Sequence, residues 1–279
     1  MTREGEHILS IEGLDVSYGG VQAVRGVTLS VAPGEIVGLV GESGSGKSTV
    51  LRATAGLLGR SGRVSGGAIR YKGRDVTSLS RRELAALRGS ELAYVFQDPT
   101  ASLDPLCRIG SQFGECIRAH GTAQGGAVRA LECDLLNEMG FEDPDRVLGA
   151  YPHELSGGMC QRVVLAMSVA CDPSLLLADE PTSALDVTSQ LQVSNLLLRI
   201  REQRGCSVLI VSHNIAAIGQ VADRVGVMRR GELVEIGARD QVLREPQHPY
   251  TRALIAAVPK TDGTLPGVTV SGEGCDDVA

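Results

Sequence analysis

The sequence is poor in aromatic side chains and in lysine. It contains no tryptophan, aromatic residues make up 3% of its 279 residues, and the only lysines are Lys47, Lys72 and Lys260. Acidic residues outnumber basic ones by 33 to 27, which gives a formal net charge of −6. A general nucleic-acid-binding protein normally carries a basic surface. The charge balance therefore argues against nucleic acid as a partner.

Long apolar runs are also missing. Residues 175–178 and 208–211 are among the longest, and both are far shorter than the roughly 18 residues that suggest a membrane-spanning helix. Residues 1–7 are polar and lack the apolar centre of a secretory signal. We therefore expect a chain that does not cross a bilayer and that stays in the cytoplasm.

Cysteine and histidine are present, but without the spacing of ligands or disulfides. The seven cysteines include no Cys-x-x-Cys pair, which favours reduced thiols over a disulfide framework and argues against a metal site. His7, His120, His153 and His248 show no ligand spacing either, and we interpret them as surface or packing residues.

Strand and helix patterns alternate along the chain. Strand patterns cover residues 8–14, 27–31, 36–40, 69–72, 92–96, 175–178 and 207–212. Helical patterns cover residues from 47 to a stop at Gly59, from a capping box at Ser80 to Gly89, 129–139, 159–170, and 188–204 before Gly205. This alternation predicts right-handed crossovers and a largely parallel sheet.

Two regions depart from this alternation. Residues 98–170 are mostly helical in pattern, so we expect a separate helical lobe there. Residues 259–279 are rich in Gly, Asp and Val without any period, and we predict that they are disordered.

A glycine-rich segment lies between an apolar strand and a helix. It consists of Gly41, Glu42, Ser43, Gly44, Ser45, Gly46, Lys47 and Ser48, followed by Thr49. In this context backbone N–H groups curl around phosphate oxygens at a helix N-terminus. Lys47 would neutralise the β- and γ-phosphates, Ser48 would hold Mg²⁺, and Thr49 would touch the α-phosphate. A chance glycine-rich turn is the alternative, and the scarcity of lysine disfavours it.

Two acids end the apolar strand 175–178. Asp179 would hold Mg²⁺, in our interpretation through water, and Glu180 would orient and polarise the attacking water. The carboxyl end of a parallel strand faces the nucleotide crevice, which supports these roles. The alternative is an acidic strand end before a turn at Pro181.

A second candidate anion site occurs at residues 155–162, Leu-Ser-Gly-Gly-Met-Cys-Gln-Arg. Ser156 is placed to cap an apolar helix, and the amides of Gly157 and Gly158 would be free to bind an anion. Because residues 41–48 already serve the chain's own nucleotide, this site would need a second ATP. The alternative is a capped helix without any ligand.

Together these motifs resemble those of the ATP-binding-cassette (ABC) ATPases. The resemblance covers residues 8–258 as one ATPase domain and implies an α/β fold of the P-loop NTPase type. That fold has a parallel-sheet core, an antiparallel β-subdomain and an inserted α-helical subdomain, here at about residues 98–170. In this family two ATPase domains pack head to tail, and each signature segment closes on the ATP of the other.

The resemblance also assigns roles to four single residues. Gln97 corresponds to a glutamine that contacts Mg²⁺ and the attacking water and links the core to the helical lobe. His213 corresponds to the histidine that contacts the γ-phosphate, and Asp186 to a loop that communicates across the dimer. Tyr18 lies where relatives stack an aromatic ring on adenine, although a solvent-facing tyrosine before the Gly19-Gly20 turn is an alternative.

Two residues depart from the family pattern. Cys160 stands where many relatives carry a basic or polar residue, and Asn214 stands where an acid is commoner. We expect Cys160 to alter the contacts of the signature helix without abolishing them, and we assign no loss of a catalytic role to Asn214.

Residues 96–105 and 245–254 resemble segments of the peptide and nickel importer branch. That branch implies an ATP-hydrolysing subunit on the cytoplasmic face of the cell membrane. Its partners would be a second ATPase subunit, either a paralogue or another copy, two transmembrane permease subunits, and an extracytoplasmic solute-binding protein acting through them. The lone Cys275 predicts no iron–sulfur cluster. An exporter ATPase and a soluble ABC ATPase remain alternatives.

Overall fold

The computed structural model describes residues 7–183 and 185–257. The predicted disordered tail and Cys275 lie outside these residues. Within the described residues, the strands are β1 (Leu9–Tyr18), β2 (Val21–Val31), β3 (Ile36–Val40), β4 (Gly62–Tyr71), β5 (Arg74–Asp75), β6 (Leu92–Val95), β7 (Leu175–Asp179), β8 (Ser207–Ser212), β9 (Arg224–Arg229) and β10 (Glu232–Ala238).

The α-helices of the same described residues are α1 (Lys47–Thr54), α2 (Arg81–Leu87), α3 (Ile109–Ala119), α4 (Gly126–Glu138), α5 (Pro144–Gly149), α6 (Gly157–Val169), α7 (Val187–Arg204), α8 (Ile215–Val221), α9 (Arg239–Arg244) and α10 (Pro249–Ala256). Short 3₁₀ turns occur at Val76–Ser78 and Pro152–Glu154.

The larger sheet forms the core of the described structure. Its strand order is β10-β9-β3-β8-β7-β6, and every pair is parallel except that of β9 with the edge strand β10. β3, β7 and β8 are buried along their whole length, as expected for a sheet covered on both faces. Because these three strands are parallel neighbours, the residues that follow them meet at one edge of the sheet.

The smaller sheet is antiparallel, with strand order β2-β1-β4-β5. The Gly19-Gly20 turn joins β1 to β2, and both glycines have positive φ, 54° and 91°. Helix α1 packs against β1, β2 and β4 on one side and against β7 and β8 on the other. The phosphate-loop helix is therefore held between the two sheets.

Several predicted boundaries were too short or too long. β1 continues to Tyr18 rather than residue 14. The prediction ended too early because an irregularity in the pairing near Gly13 interrupts the apolar alternation without ending the strand. β4 begins at Gly62 rather than residue 69. The prediction missed its first half because that half is rich in glycine and polar residues. Helix α1 ends at Thr54, and Gly56, not Gly59, follows it with a left-handed φ of 65°.

Other local predictions are confirmed. Ser80 and Glu83 form the reciprocal capping box at the start of α2, and Gly205 ends α7 in the left-handed conformation. The elements after residue 214, from α8 to α10, were not predicted. β9 extends the parallel core sheet there by pairing with β3.

Between β6 and β7 the described residues form helices α3 to α6 with no strand. Their apolar faces bury Phe113, Ile117, Leu135 and Leu136 against α6 and the core sheet. Across the described residues, no helix combines the length and apolar character that crossing a membrane would require.

Candidate functional site

The glycine-rich loop between β3 and α1 is tightly seated. A Cβ on Gly41 would lie 2.2 Å from the Met228 carbonyl oxygen of β9, so a side chain cannot be accommodated there. Gly46 precedes α1 with a left-handed φ of 102°. Glu42, Ser43 and Gly44 are exposed on the outside of the loop, whereas Ser45 is buried and Thr49 is half-buried. The loop is thus fixed by backbone packing and open on one side.

Lys47 points back into this loop. Its Nζ donates to the carbonyl oxygens of Gly41 at 2.8 Å and Glu42 at 2.9 Å, and it lies 3.4 Å from the Ser45 hydroxyl. Burial lowers the pKa of Lys47, and the negative charges of Glu180 and Asp179 partly oppose this shift. The positive charge of this ammonium, held within a glycine-rich loop, is suited to receive phosphate oxygens, which are strong acceptors for charged donors.

Ser48 and Asp179 meet directly, although they are far apart in the chain. The Ser48 hydroxyl donates to Asp179 Oδ1 at 2.6 Å, and the Tyr94 hydroxyl donates to Oδ2 at 2.9 Å. Arg52 lies 3.7 Å from the same carboxylate, which is fully buried. Burial, followed by the charge of Asp179, raises the pKa of Tyr94.

The sequence interpretation missed Tyr94 and Arg52. A signal existed for Arg52, because it stands four residues after Ser48 on α1 and therefore on the same helix face. Tyr94 carried no comparable signal. Its position beside Asp179 depends on the pairing of β6 with β7.

Glu180 is held by two of the single residues predicted above. Gln97 Nε2 donates to Glu180 Oε2 at 3.2 Å, and His213 Nδ1 lies 2.9 Å from the same oxygen. The Glu180 side chain is mostly buried, whereas that of His213 is half exposed. Three strands therefore bring one carboxylate, one amide and one imidazole together beside the phosphate loop.

The backbone of Glu180 is left-handed, with a φ of 46°. A non-glycine residue pays about 1–2 kcal/mol for this conformation. Here its amide donates to the Val211 carbonyl at 3.0 Å, and its carbonyl accepts from the Ser183 hydroxyl at 3.1 Å. Strain of this kind is concentrated at functional sites, where the surrounding structure maintains it.

Tyr18 lies at the end of β1 and is half-buried. Its ring packs against Gly62, where a Cβ would come within 2.6 Å of the Tyr18 Cε1 atom. The tyrosine ring thus lies against Gly62, so the residue is not fully solvent-facing.

The segment at residues 155–162 begins helix α6. Ser156 caps it, with its hydroxyl accepting from the Met159 amide at 3.2 Å. Gly158 packs against α7, where a Cβ would lie 2.9 Å from the Ser189 hydroxyl. Asp186 caps α7 by accepting from the amide of Ser189 at 3.0 Å and from its hydroxyl at 2.7 Å. These bonds, the backbone one first, lower the pKa of Asp186.

The structure thus gathers the predicted residues into two groups. Gln97, Asp179, Glu180 and His213 surround the end of the phosphate loop. In contrast, Ser156, Gly157, Gly158 and Asp186 lie at the adjacent starts of α6 and α7, and no hydrogen bond among the described residues links them to residues 41–49.

The two departures from the family pattern have local explanations. Cys160 is fully buried and its thiol donates to the Pro152 carbonyl at 3.5 Å, while burial raises its pKa. Asn214 caps α8 by accepting from the amides of Ala216 and Ala217. Asparagine and aspartate are about equally good in this capping role.

Comparisons with known proteins agree on the kind of protein. The family described as "ABC transporter" matches residues 24–183, and the one described as "Oligopeptide/dipeptide transporter, C-terminal region" matches residues 234–276. The dipeptide transport ATP-binding protein DppD of Bacillus subtilis is 41% identical, covering 97% of this chain and 85% of its own length.

Further relatives and solved structures give the same result. The oligopeptide transport ATP-binding protein AmiE of Streptococcus pneumoniae is 40% identical, over 93% of this chain and 75% of its own. The ATP-binding cassette MJ0796, solved as a dimer bound to ADP and Pi, superimposes with a TM-score of 0.73 at 26% identity, over 83% of this chain and 98% of that one. For cbiO1 of Clostridium perfringens the TM-score is 0.75 at 27% identity, with coverages of 86% and 92%.

Proposed function

The chain belongs to the ABC transporter family as an ATP-binding subunit, and we propose that it hydrolyses ATP to drive the import of peptides across the cell membrane. Two findings support peptide as the solute. The match at residues 234–276 is to a region typical of oligopeptide and dipeptide transporters, and DppD and AmiE are named for those solutes. Peptide is therefore preferred over nickel, which the sequence also allowed.

One observation carries the catalytic proposal. Gln97 and His213 both hold the Glu180 carboxylate beside the phosphate loop. In the proposed mechanism the loop amides and Lys47 bind the phosphates of ATP, and Tyr18 supports the adenine. Glu180 then orients a water molecule for attack on the γ-phosphate, with Gln97 and His213 fixing the position of its carboxylate.

The residues around Asp179 fit Mg²⁺. Oxygen ligands suit this ion, and the Ser48 hydroxyl, the Asp179 carboxylate and the Gln97 side-chain carbonyl are of that type. Asp179 is fully buried, and its only ion pair among the described residues is the 3.7 Å contact with Arg52, so a cation would compensate its charge. We propose that Ser48, Asp179 and Gln97 hold Mg²⁺, which would neutralise charge on the β- and γ-phosphates.

The second group of residues is proposed to act on another subunit's nucleotide. Ser156, Gly157, Gly158 and Asp186 would close over ATP bound to a partner ATPase, which is a paralogue or a second copy of this chain. The dimeric MJ0796 cassette, which is similar in fold, supports this assembly. Hydrolysis would then require the dimer, and loss of the γ-phosphate would remove charge that holds the two halves together.

A groove that includes Phe96, the residue before Gln97 in the chain, supports the proposed membrane partners. It is lined by apolar side chains of β6 and α6, among them Val164 and Met167, together with Phe96 and Leu103. Phe96 is 45% exposed. We propose that two transmembrane permease subunits dock here, so that the chain lies on the cytoplasmic face of the membrane. An extracytoplasmic solute-binding protein would act through them.

Substitution of Glu180 by glutamine tests the proposal. Because the amide cannot accept a proton from water, Glu180→Gln should lower ATP turnover by about 100-fold or more while ATP binding is retained. The variant should also accumulate as an ATP-bound dimer, measurable by sedimentation. Glu232→Gln, the same exchange at an exposed position on β10, serves as the control. Wild-type turnover by Glu180→Gln would contradict the role of this carboxylate.

A further inference from the structure

The phosphate loop is contacted by a segment near the end of the described chain. This C-terminal segment, residues 245–257, contains α10 and lies within the region matched at residues 234–276. The Glu42 amide donates to the Tyr250 hydroxyl at 3.3 Å, across 208 positions of sequence. None of the roles described above for nucleotide binding accounts for this contact.

Tyr250 is itself held in place by neighbouring groups. Its ring lies under the Arg229 guanidinium, whose central carbon is 4.8 Å from the ring centroid, and its amide donates to His248 Nδ1 at 3.1 Å. The start of the segment is anchored as well, because Glu235 accepts from the amides of Gln247 at 2.8 Å and His248 at 3.0 Å. Contacts with Arg229 and Glu235 therefore fix the position from which the tyrosine hydroxyl contacts Glu42.

Strand β9 and the turn that follows it contact the phosphate loop at two further points. Met228, next to Arg229, places its carbonyl against Gly41. In the turn after β9, the Gly231 amide donates to the Ser45 carbonyl at 3.0 Å. Glu42 lies between these two points in the sequence, and its amide is tied to the C-terminal segment through the Tyr250 hydroxyl.

From these contacts we propose that Tyr250 is a positioning residue for the phosphate loop, through which the C-terminal segment sets the affinity for nucleotide. Glu42 and Gly41 provide the carbonyl oxygens that receive Lys47. When Glu42 is fixed, the two carbonyls keep one geometry. The Lys47 ammonium that donates to them is then held in one position as well. Fixing it in advance reduces the ordering required when ATP binds. The inference rests on the proposed function, because it assumes that the loop binds ATP.

Tyr250→Phe removes the hydroxyl and keeps the ring under Arg229. We expect the dissociation constant for ATP, measured by calorimetric titration of the full chain, to rise about 2- to 10-fold, as expected for loss of one net hydrogen bond. In turnover assays with the assembled transporter the KM for ATP should rise while kcat changes little, because Glu180, Gln97 and His213 are unaffected.

Tyr71→Phe provides the matched control. Tyr71 is fully buried in the smaller sheet, and its hydroxyl donates to the Glu91 carbonyl at 3.2 Å, away from the phosphate loop. This variant should lower the melting temperature without changing the affinity for ATP. Tyr250→Phe should instead lower the affinity for ATP and leave the melting temperature nearly unchanged. Glu235→Gln should weaken ATP binding in the same direction as Tyr250→Phe, because it loosens the anchor of the segment while leaving the hydroxyl in place.

The outcomes separate this inference from the proposed function. If the wild-type chain binds ATP and Tyr250→Phe binds it equally well, Tyr250 has no positioning role. An effect on melting temperature alone, or on kcat alone, would overturn the inference in the same way. If the wild-type chain binds no ATP at all, the proposed function itself fails.

Discussion

Two regions of the molecule hold their predicted functional residues in different ways. At the ends of β3, β6, β7 and β8, side chains bond to one another or to the phosphate loop: Lys47 bonds to loop carbonyls, Ser48 to Asp179, and Glu180 to Gln97 and His213. We call this region the nucleotide face. At the starts of α6 and α7, which we call the signature face, the polar side chains Ser156 and Asp186 only cap their own helices.

The amides of Gly157 and Gly158 show the difference most clearly. No hydrogen bond among the described residues uses them, whereas Ser156 takes up the Met159 amide of the same turn. The first N–H groups of a helix require an acceptor from outside the helix. The nucleotide face thus holds its side chains through its own hydrogen bonds, and the open amides of Gly157 and Gly158 fit the proposal that the signature face meets a ligand brought by another subunit.

Damage to the signature face should have the larger effect on turnover. Gly157→Asp places a carboxylate at the exposed start of α6, where the partner's γ-phosphate is proposed to bind and where a Cβ meets nothing closer than 4.0 Å, so hydrolysis should fall by about 100-fold or more. Binding of ATP to the isolated chain should not change, because the nucleotide face is intact. Gly126→Asp, at the exposed start of α4, is the control, since it adds the same charge at another helix N-terminus. Loss of ATP binding by the isolated Gly157→Asp chain would contradict the separation of the two faces.

Damage to the nucleotide face should instead be seen in binding. Lys47→Ala removes the ammonium that would contact the phosphates, so ATP should bind about 10- to 100-fold more weakly to the isolated chain. Folding should be largely preserved, since burial already disfavours the lysine charge and lowers its pKa. Calorimetric titration with ATP measures the first effect and thermal unfolding the second. Unchanged affinity for ATP in the Lys47→Ala chain would contradict the proposal that this loop binds the phosphates of ATP.

A smaller effect should sharpen the description of the nucleotide face. Tyr94→Phe removes the hydroxyl that donates to Asp179 at 2.9 Å and leaves the ring in the sheet. The freed carboxylate oxygen should shift in position, and the Mg²⁺ concentration needed for half-maximal turnover should change by about 2- to 10-fold, as expected for loss of one net hydrogen bond. Tyr71→Phe again controls for the loss of a buried hydroxyl. An unchanged Mg²⁺ requirement would mean that Tyr94 does not orient Asp179.

Much of the nucleotide face was predictable because its residues follow strands. Glycine spacing before Lys47 and acids at the end of an apolar strand are local patterns, and parallel pairing brings them to one edge of the sheet. Ser156 was likewise predicted as a helix cap from the glycines and the apolar run that follow it.

The remainder depends on contacts between distant parts of the chain. Tyr94 reaches Asp179 because β6 lies beside β7, and Tyr250 reaches Glu42 because α10 returns to the phosphate loop. Neither pairing leaves a local pattern. The length of β4 was missed for a different reason, since its glycines hide the alternation by which strands are identified.

The central claim is that the chain's nucleotide is hydrolysed only when a partner's signature face closes over it. The most direct test measures ATP turnover per chain across a dilution series, with the fraction of dimer determined by sedimentation at each concentration. We predict that turnover per chain rises with the dimer fraction and also on addition of the partner ATPase. Constant turnover per chain in preparations that are entirely monomeric would contradict the account.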